Sequence, residues 1–321
     1  MNFIYMDIVA CLDKGFVMPT GVMMYSVCMN NQDTEIMFHL VVDESVTDAD
    51  RSDLKRTVES FEGKKVTFYT VNSRNFQEMP ALVKGYRITQ SAYYRLFLTE
   101  ILPTNIDKVL YLDGDIIVRH SLLPLWNTDL TDFALAAVTD YDENDMNKYE
   151  RLKYPRRYSY FNSGVLLINL KYWREHDVVK VFNSYIEEHR SEIINHDQDV
   201  LNAVFYDKKI NLPLTFNLSL GFYKKNTKYD YQKYKDEVLE ARKDPVIIHY
   251  TISKPWHYCR YTHPLNSSFF KYQSQTCWKD WPKTDKRPLP LRLRHAVADT
   301  LRKLNLWPKL PQIFDDMPPV D

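Results

Sequence analysis

Glycine is scarce in this chain: only 7 of 321 residues, about 2% where roughly 7% is usual. Neither GxGxxG nor GxxxxGKS/T can be written, which excludes the dinucleotide fingerprint and the P-loop. Cysteine is sparse as well. Cys11, Cys28, Cys259 and Cys277 are scattered without metal-ligand spacing and read as reduced thiols, with a disulfide left open. No apolar run approaches the roughly 18–20 residues of a membrane-spanning helix. The start MNFIYMD lacks the basic flank and long apolar core of a signal peptide, so a cytoplasmic protein is expected. Charge of either sign is not in excess: 42 basic residues face 42 acidic ones, and the balance offers nothing to nucleic acid. There is no internal repeat and no low-complexity tract.

What is present is core material, with 45% hydrophobic and 14% aromatic residues. Residues 3–10 form an apolar run broken by Asp7, followed by the turn-like Asp13-Lys14-Gly15 and a helix-length segment over 20–29. The unit repeats: a strand over 36–42, then a helix over 47–61 with Leu54, Val58 and Phe61 on one face and a capping-box start at Thr47 and Asp50. A strand over 66–71, a helix over 91–101 and a strand over 109–112 follow. This alternation predicts an α/β fold with a mostly parallel sheet covered on both faces and ligands at the carboxyl ends of the strands. Further along, a strand over 134–138 ends in Thr139-Asp140, and the chain is expected to turn at Gly164 before another strand. A helix over 173–189 should carry Val178, Val181, Tyr185 and His189 on one face, and a short helix begins at Asp197. Residues 209–236 lack a clear period and read as loops around a ligand; 245–250 is a last buried strand ending at His249.

The stretch from Lys108 to Val118 places Asp113 and Asp115 in an otherwise apolar run. A carboxylate losing its hydration there must be paired, protonated or bound to metal. With the strand-terminal His249 the pair offers two hard oxygens and one imidazole nitrogen. That set suits Mn2+, with Mg2+ as the alternative ion, and open positions for water and phosphate. Such an ion would neutralise charge developing on a diphosphate leaving group. A haloacid-dehalogenase-like phosphohydrolase is the rival reading, since DxDxT/V is approached here. Its fifth position is Ile117, and the pair follows three strand–helix units instead of opening the chain.

Several blocks in order resemble one family. They are Met6-Asp7-Ile8-Val9, Tyr93-x-Arg95-Leu96, the block over 109–118, and Pro124-Leu125-Trp126-Asn127-Thr128-Asp129-Leu130. The block over 160–170, His196-Asp197-Gln198-Asp199-Val200-Leu201-Asn202, and His249-Tyr250 with Lys254-Pro255-Trp256 complete the set. Over residues 6–257 the chain is similar to the retaining glycosyltransferases of family 8, especially bacterial lipooligosaccharide galactosyl- and glucosyltransferases. The resemblance implies a Rossmann-like GT-A fold, a UDP-hexose donor and Mn2+ held by Asp113, Asp115 and His249. It also implies that Cys11 and Asp13 lie in the uridine loop and that Lys254 holds the diphosphate. Arg95, Gly114, Asp140, Asn162, Ser163, Asp197 and Gln198 would line the donor, with Asp113 near sugar and ribose.

The chemistry of these side chains agrees, since sugar hydroxyls need carboxylate acceptors and amide partners. Covalent retention would need a carboxylate at the anomeric carbon. Gln198 is a poor nucleophile, which favours the front-face route proposed for the family; Asp140 and Asp197 keep the covalent route open. The family's closing motif HxxGxxKPW is one residue shorter here and lacks glycine, leaving Ile252 or Ser253 to supply any backbone contact to phosphate. Gly15 stands where relatives often carry a polar residue, so one contact to base or ribose is expected to be missing. A sugar-nucleotide binder without catalysis and a self-glycosylating primer are the other readings on this scaffold. The N-x-S sequons at Asn217 and Asn266 carry no meaning in a cytoplasmic protein.

Composition shifts near residue 282, dividing the chain into a catalytic domain over 1–282 and a tail over 283–321. From Lys283 to Lys309 the tail carries eight basic residues against Asp285 and Asp299, with Leu293, Val297, Leu301 and Leu304 on one helical face. A basic amphipathic helix suits an anionic membrane surface. Peripheral placement on the inner face of the cell membrane, near a glycolipid acceptor, is the corresponding expectation; a helix packed on the core is the alternative.

Overall fold

The computed structural model describes residues 4–309 except 77–78, 80–81, 84–85, 88–89, 225–230, 252, 260–261 and 286. Three parallel strands open it: β1 (Ile4–Leu12), β2 (Thr34–Val42) and β3 (Lys64–Thr70), with Ile8 level with Phe38 and Phe38 with Val66. The near-continuous apolar sequence of β1 and β2 follows from burial on both faces, whereas β3 at the sheet edge mixes Val66 and Phe68 with polar residues. Met6, Ile8, Ala10 and Leu12 pack with helix Val17–Asn30 in one core, while Val9 and Cys11 belong to a second core on the opposite face. Helix Asp48–Glu59 starts at the expected capping box, in which Thr47 and Asp50 each receive the other's backbone N–H.

A two-residue ladder, β4 (Leu82–Val83) with β5 (Tyr86–Arg87), precedes β6 (Lys108–Leu112), β7 (Ile116–Val118), β8 (Leu135–Thr139) and β9 (Phe161–Asn169). β10 (Lys209–Leu212), β11 (Leu218–Ser219) and β12 (Ile247–His249) complete the strands. The main sheet has seven strands in the order β10-β8-β9-β6-β1-β2-β3, all parallel except β9, and helices cover both faces. A second sheet has the order β11-β12-β7. Asp113-Gly114-Asp115 is the joint between the sheets: Asp113 N donates to Gly164 O at 2.8 Å, and Tyr250 N to Asp115 O at 2.9 Å.

Several local expectations are corrected. Residues 91–101 form a 3-10 segment, Gln90–Phe97, and only one α turn, Leu98–Ile101, because Tyr93, Tyr94, Arg95 and Leu96 are all buried in succession and no single α-helical stripe accommodates them. Gly164 is no turn; β9 runs straight through it. The helix over 173–189 is two helices, Leu170–Glu175 and Val178–Glu188, split by Asp177 in the left-handed region (φ 47°). Within the second helix Val178, Val179, Phe182 and Ile186 face inward, and Val181 is exposed. Residues 209–236 are not loops throughout: they contain β10, β11 and the start of helix Tyr231–Lys243. All four cysteines are free. No helix among the described residues is long and apolar enough to cross a membrane.

Candidate active site

At the carboxyl end of β6 the chain crosses from one sheet to the other, and β12, antiparallel to β7, carries His249 to the same place. His249 Nε2 lies 3.3 Å from Asp115 Oδ1 and 3.7 Å from Asp113 Oδ2. One ligand atom from each of the three falls within 4.8 Å of the others. Burial lowers the His249 imidazole to about 4, outweighing the pull of Asp113, so it is neutral at physiological pH. Burial alone would raise the Asp113 carboxyl, but Arg95, His249 and the Tyr111 hydroxyl hold it below the usual carboxylate range. Two carboxylates and an unprotonated nitrogen converge on one point, a donor set that fits a divalent ion.

Gly164 makes this convergence sterically feasible. A Cβ there would lie 2.2 Å from His249 Cε1 and 2.8 Å from Asp113 Oδ2. Gly114 is equally confined: its Cβ would stand 2.3 Å from Thr20 Oγ1 at the start of helix Val17–Asn30. The remaining oxygen of Asp115 is taken by the ammonium of Lys254. Burial, opposed by Asp113, pushes Lys254 down to about 8, which leaves it protonated at neutral pH.

Arg95 is a buried hub between the Asp113, Asp115 and His249 cluster and the residues around Asp197. It donates to Asp113 Oδ1 at 2.8 Å and to Ser163 O at 2.6 Å, stacks 4.1 Å over the Tyr111 ring, and lies 3.2 Å from Asp197 Oδ2. That last approach is out of hydrogen-bonding line, so Asp197 Oδ2 is a buried acceptor without a hydrogen bond among the described residues. Burial raises the Asp197 carboxyl, opposed by Arg95. Helix His196–Phe205 also presents Gln198, whose Oε1 accepts from Ser163 N at 3.0 Å and Asn162 Nδ2 at 3.2 Å and whose Nε2 donates to Asp140 Oδ2 at 3.0 Å. Asn162 also donates to Asp140 Oδ2, at 3.0 Å. Burial opposes ionisation of Asp140, but Lys148 and these amide donors hold its carboxyl below the usual range.

The sequence-predicted residues Arg95, Asp113, Asp115, Asp140, Asn162, Ser163, Asp197, Gln198, His249 and Lys254 therefore form one connected cluster. Cys11 departs from expectation: it is the penultimate residue of β1, buried in register with Val41, instead of part of a loop. Burial pushes its thiol up to about 12, which leaves it unreactive. Asp13 does lie in the turn after β1, where its carboxylate takes the N–H of Gly15 at 2.8 Å. Ile252 lies outside the described residues. Two site residues escaped the sequence reading. Tyr111 donates its hydroxyl to Asp113 Oδ1 at 2.8 Å, and Asn217, dismissed as a sequon, is buried with its oxygen 2.8 Å from His249 Nδ1. Tyr111 had a signal in its i, i+2 spacing from Asp113 along a strand; Asn217 had none.

The fold is GT-A, and solved structures like it are glycosyltransferases. The galactosyltransferase LgtC, in complex with donor and acceptor sugar analogs, superposes with a TM-score of 0.76 and 30% identity, covering 90% of this chain and 100% of that one. The chain belongs to glycosyl transferase family 8, whose model matches residues 7–260. Relatives include general stress protein A of Bacillus subtilis, 28% identical over 85% of this chain and 94% of the relative. The lipopolysaccharide 1,3-galactosyltransferase of Salmonella typhimurium is 26% identical over 83% and 77% respectively. The protein is thus a glycosyltransferase by family, and the phosphohydrolase reading falls away.

Proposed function

We propose that this chain transfers galactose or glucose from its UDP derivative, with retention, to a glycan acceptor of the lipopolysaccharide or lipooligosaccharide core. The observation that carries the reading is the neutral His249 nitrogen turned toward two carboxylates, an arrangement of lone pairs that calls for a cation. Asp113, Asp115 and His249 would hold Mn2+, or Mg2+ in its place, and the ion when bound supplies Lewis-acid neutralisation of the departing diphosphate. Lys254 borders the same spot and adds a second positive charge for the phosphates. Asp197 Oδ2, buried and without a hydrogen bond among the described residues, accepts a donor-sugar hydroxyl. Asn162, Ser163 and Asp140 complete that wall, while Cys11, Gly114 and Asp13 border the nucleoside side.

Gln198 Oε1 is already engaged by the Ser163 N–H and the Asn162 amide, which argues against attack by this oxygen on the anomeric carbon. We favour a front-face route, in which the leaving phosphate oxygen takes the acceptor proton; a covalent route would fall to Asp140 or Asp197. The lipopolysaccharide hexosyltransferases among the relatives support the acceptor class. Residues 1–282 form the catalytic unit on this reading, and the tail over 283–321 lies on the anionic inner membrane face, its apolar stripe of Leu289, Leu293, Val297 and Leu304 exposed. Screening UDP-sugars for Mn2+-dependent release of UDP tests the proposal. Release from UDP-galactose or UDP-glucose supports it. An intact protein that binds UDP and cleaves none of them is a binding protein instead, and mass added to the protein by donor alone identifies a self-glycosylating primer.

A further inference from the structure

His249 has two ring nitrogens, and only one can face a metal ion. Nε2 does so; Nδ1 lies 2.8 Å from Asn217 Oδ1. An amide oxygen only accepts, so Nδ1 must carry a hydrogen, and in the neutral ring Nε2 then holds the lone pair. Which end of the Asn217 amide meets the ring is fixed in turn. Its Nδ2 lies 2.9 Å from Asn162 Oδ1, which also accepts the Gly164 N–H at 2.9 Å. Asn162 Nδ2 donates to Asp140 Oδ2 at 3.0 Å. An ionised carboxylate only accepts, so every donor in the series points the same way, from His249 toward Asp140.

We propose that Asn217 is a positioning residue that locks His249 as the Nδ1–H tautomer with Nε2 open to a divalent cation, and that Asp140 through Asn162 locks Asn217. This rests on the reading that Asp113, Asp115 and His249 hold a divalent ion. The relay spans the donor-sugar wall and the metal set without using either ligand. Partners that orient a ligating histidine typically contribute 10–100-fold to metal affinity. Asn217 is almost fully buried and its amide is used at both ends, so it has no surface role as a glycan acceptor.

The first test needs no variant at the relay. In metal-free, 15N-histidine-labelled protein, long-range 1H–15N spectra report the tautomer of each imidazole, and His249→Gln identifies the His249 signals by their loss. An Nδ1–H ring supports the proposal; an Nε2–H ring overturns it. The second test titrates Mn2+ against the protein by the electron paramagnetic resonance of free Mn2+. Asn217→Leu should bind 10–100-fold more weakly than the parent, and Asn217→Asp, which keeps an acceptor for Nδ1–H, should recover most of the loss. Parent-like affinity in Asn217→Leu overturns the proposal. A parent protein that binds no Mn2+ yet shows the Nδ1–H tautomer rejects the metal reading while leaving the lock on His249 in place.

Discussion

Lys254 lays its ammonium on Asp115 Oδ2 while the other oxygen of the same carboxylate faces His249. A side-chain cation thus stands beside the place proposed for a divalent one, and the two would compete for Asp115. Replacing Lys254 with methionine should therefore have opposite effects on two ligands. Mn2+ alone should bind several-fold more tightly, since the site gains net negative charge, while UDP should bind roughly tenfold more weakly, equal to about 1.4 kcal/mol. Calorimetric titration of each ligand separately checks both signs. Unchanged UDP affinity would remove Lys254 from the diphosphate site.

Arg95 compensates the buried carboxylate of Asp197 and the partly buried one of Asp113. Removing one partner of a buried ion pair costs roughly 3–5 kcal/mol, because the remaining charge stays desolvated. Arg95→Met should lose stability of that order in urea unfolding at neutral pH. Arg95→Lys should recover only part of it, since one ammonium cannot reach Asp113, Ser163 O and the Tyr111 face together. A loss under about 1 kcal/mol in Arg95→Met would contradict this reading.

His263 is buried between the rings of Tyr223 and Tyr250, with Nδ1 accepting the Leu265 N–H at 3.0 Å and Nε2 lacking a hydrogen-bond partner among the described residues. Burial, reinforced by His249, lowers it to about 3, against about 6.5 in the unfolded chain. A folded-state value below the unfolded one means that the unfolded chain binds the proton first. Stability is therefore full above about pH 6.5 and falls as pH drops toward about 3, by at most roughly 1.4 kcal/mol per pH unit. His263→Asn, which keeps an acceptor for Leu265 N–H, should lose stability less steeply between pH 6.5 and 4.5 in denaturant titrations. Parallel slopes would show that His263 titrates normally.

None of the residues of helix Leu289–Lys303 is buried, and Leu304, Leu306 and Trp307 just beyond it are exposed. Basic side chains near an anionic surface add up to about 1 kcal/mol each. Removing residues 283–321 should abolish co-sedimentation with anionic vesicles and leave hexosyl transfer to a soluble acceptor nearly unchanged. Loss of folding on truncation would instead make the tail part of the core.

The strands and the carboxylate pair were legible because their signals are local. β1, β2 and β6 are largely apolar runs, and Asp113-x-Asp115 follows directly on β6. Glycine scarcity also helped, since it made Gly164 and Gly114 conspicuous, although the reason for Gly164 is the clearance His249 needs across a sheet joint and not a turn. Helix phase was misread at Val181 because Val178 can head two stripes, one through Val181 and Tyr185 and one through Phe182 and Ile186, and the fold buries the second. Asn217 was invisible for a different reason: its role depends on partners 32 and 55 residues away, which only the folded chain brings together.

The most direct test of the metal assignment is anomalous diffraction at the manganese edge from crystals soaked with Mn2+ and UDP. A single strong peak contacting Asp113, Asp115 and His249 Nε2, and lost in His249→Ala, is the predicted result. Density for UDP with no manganese among these three side chains, or a peak that persists in His249→Ala, would contradict it.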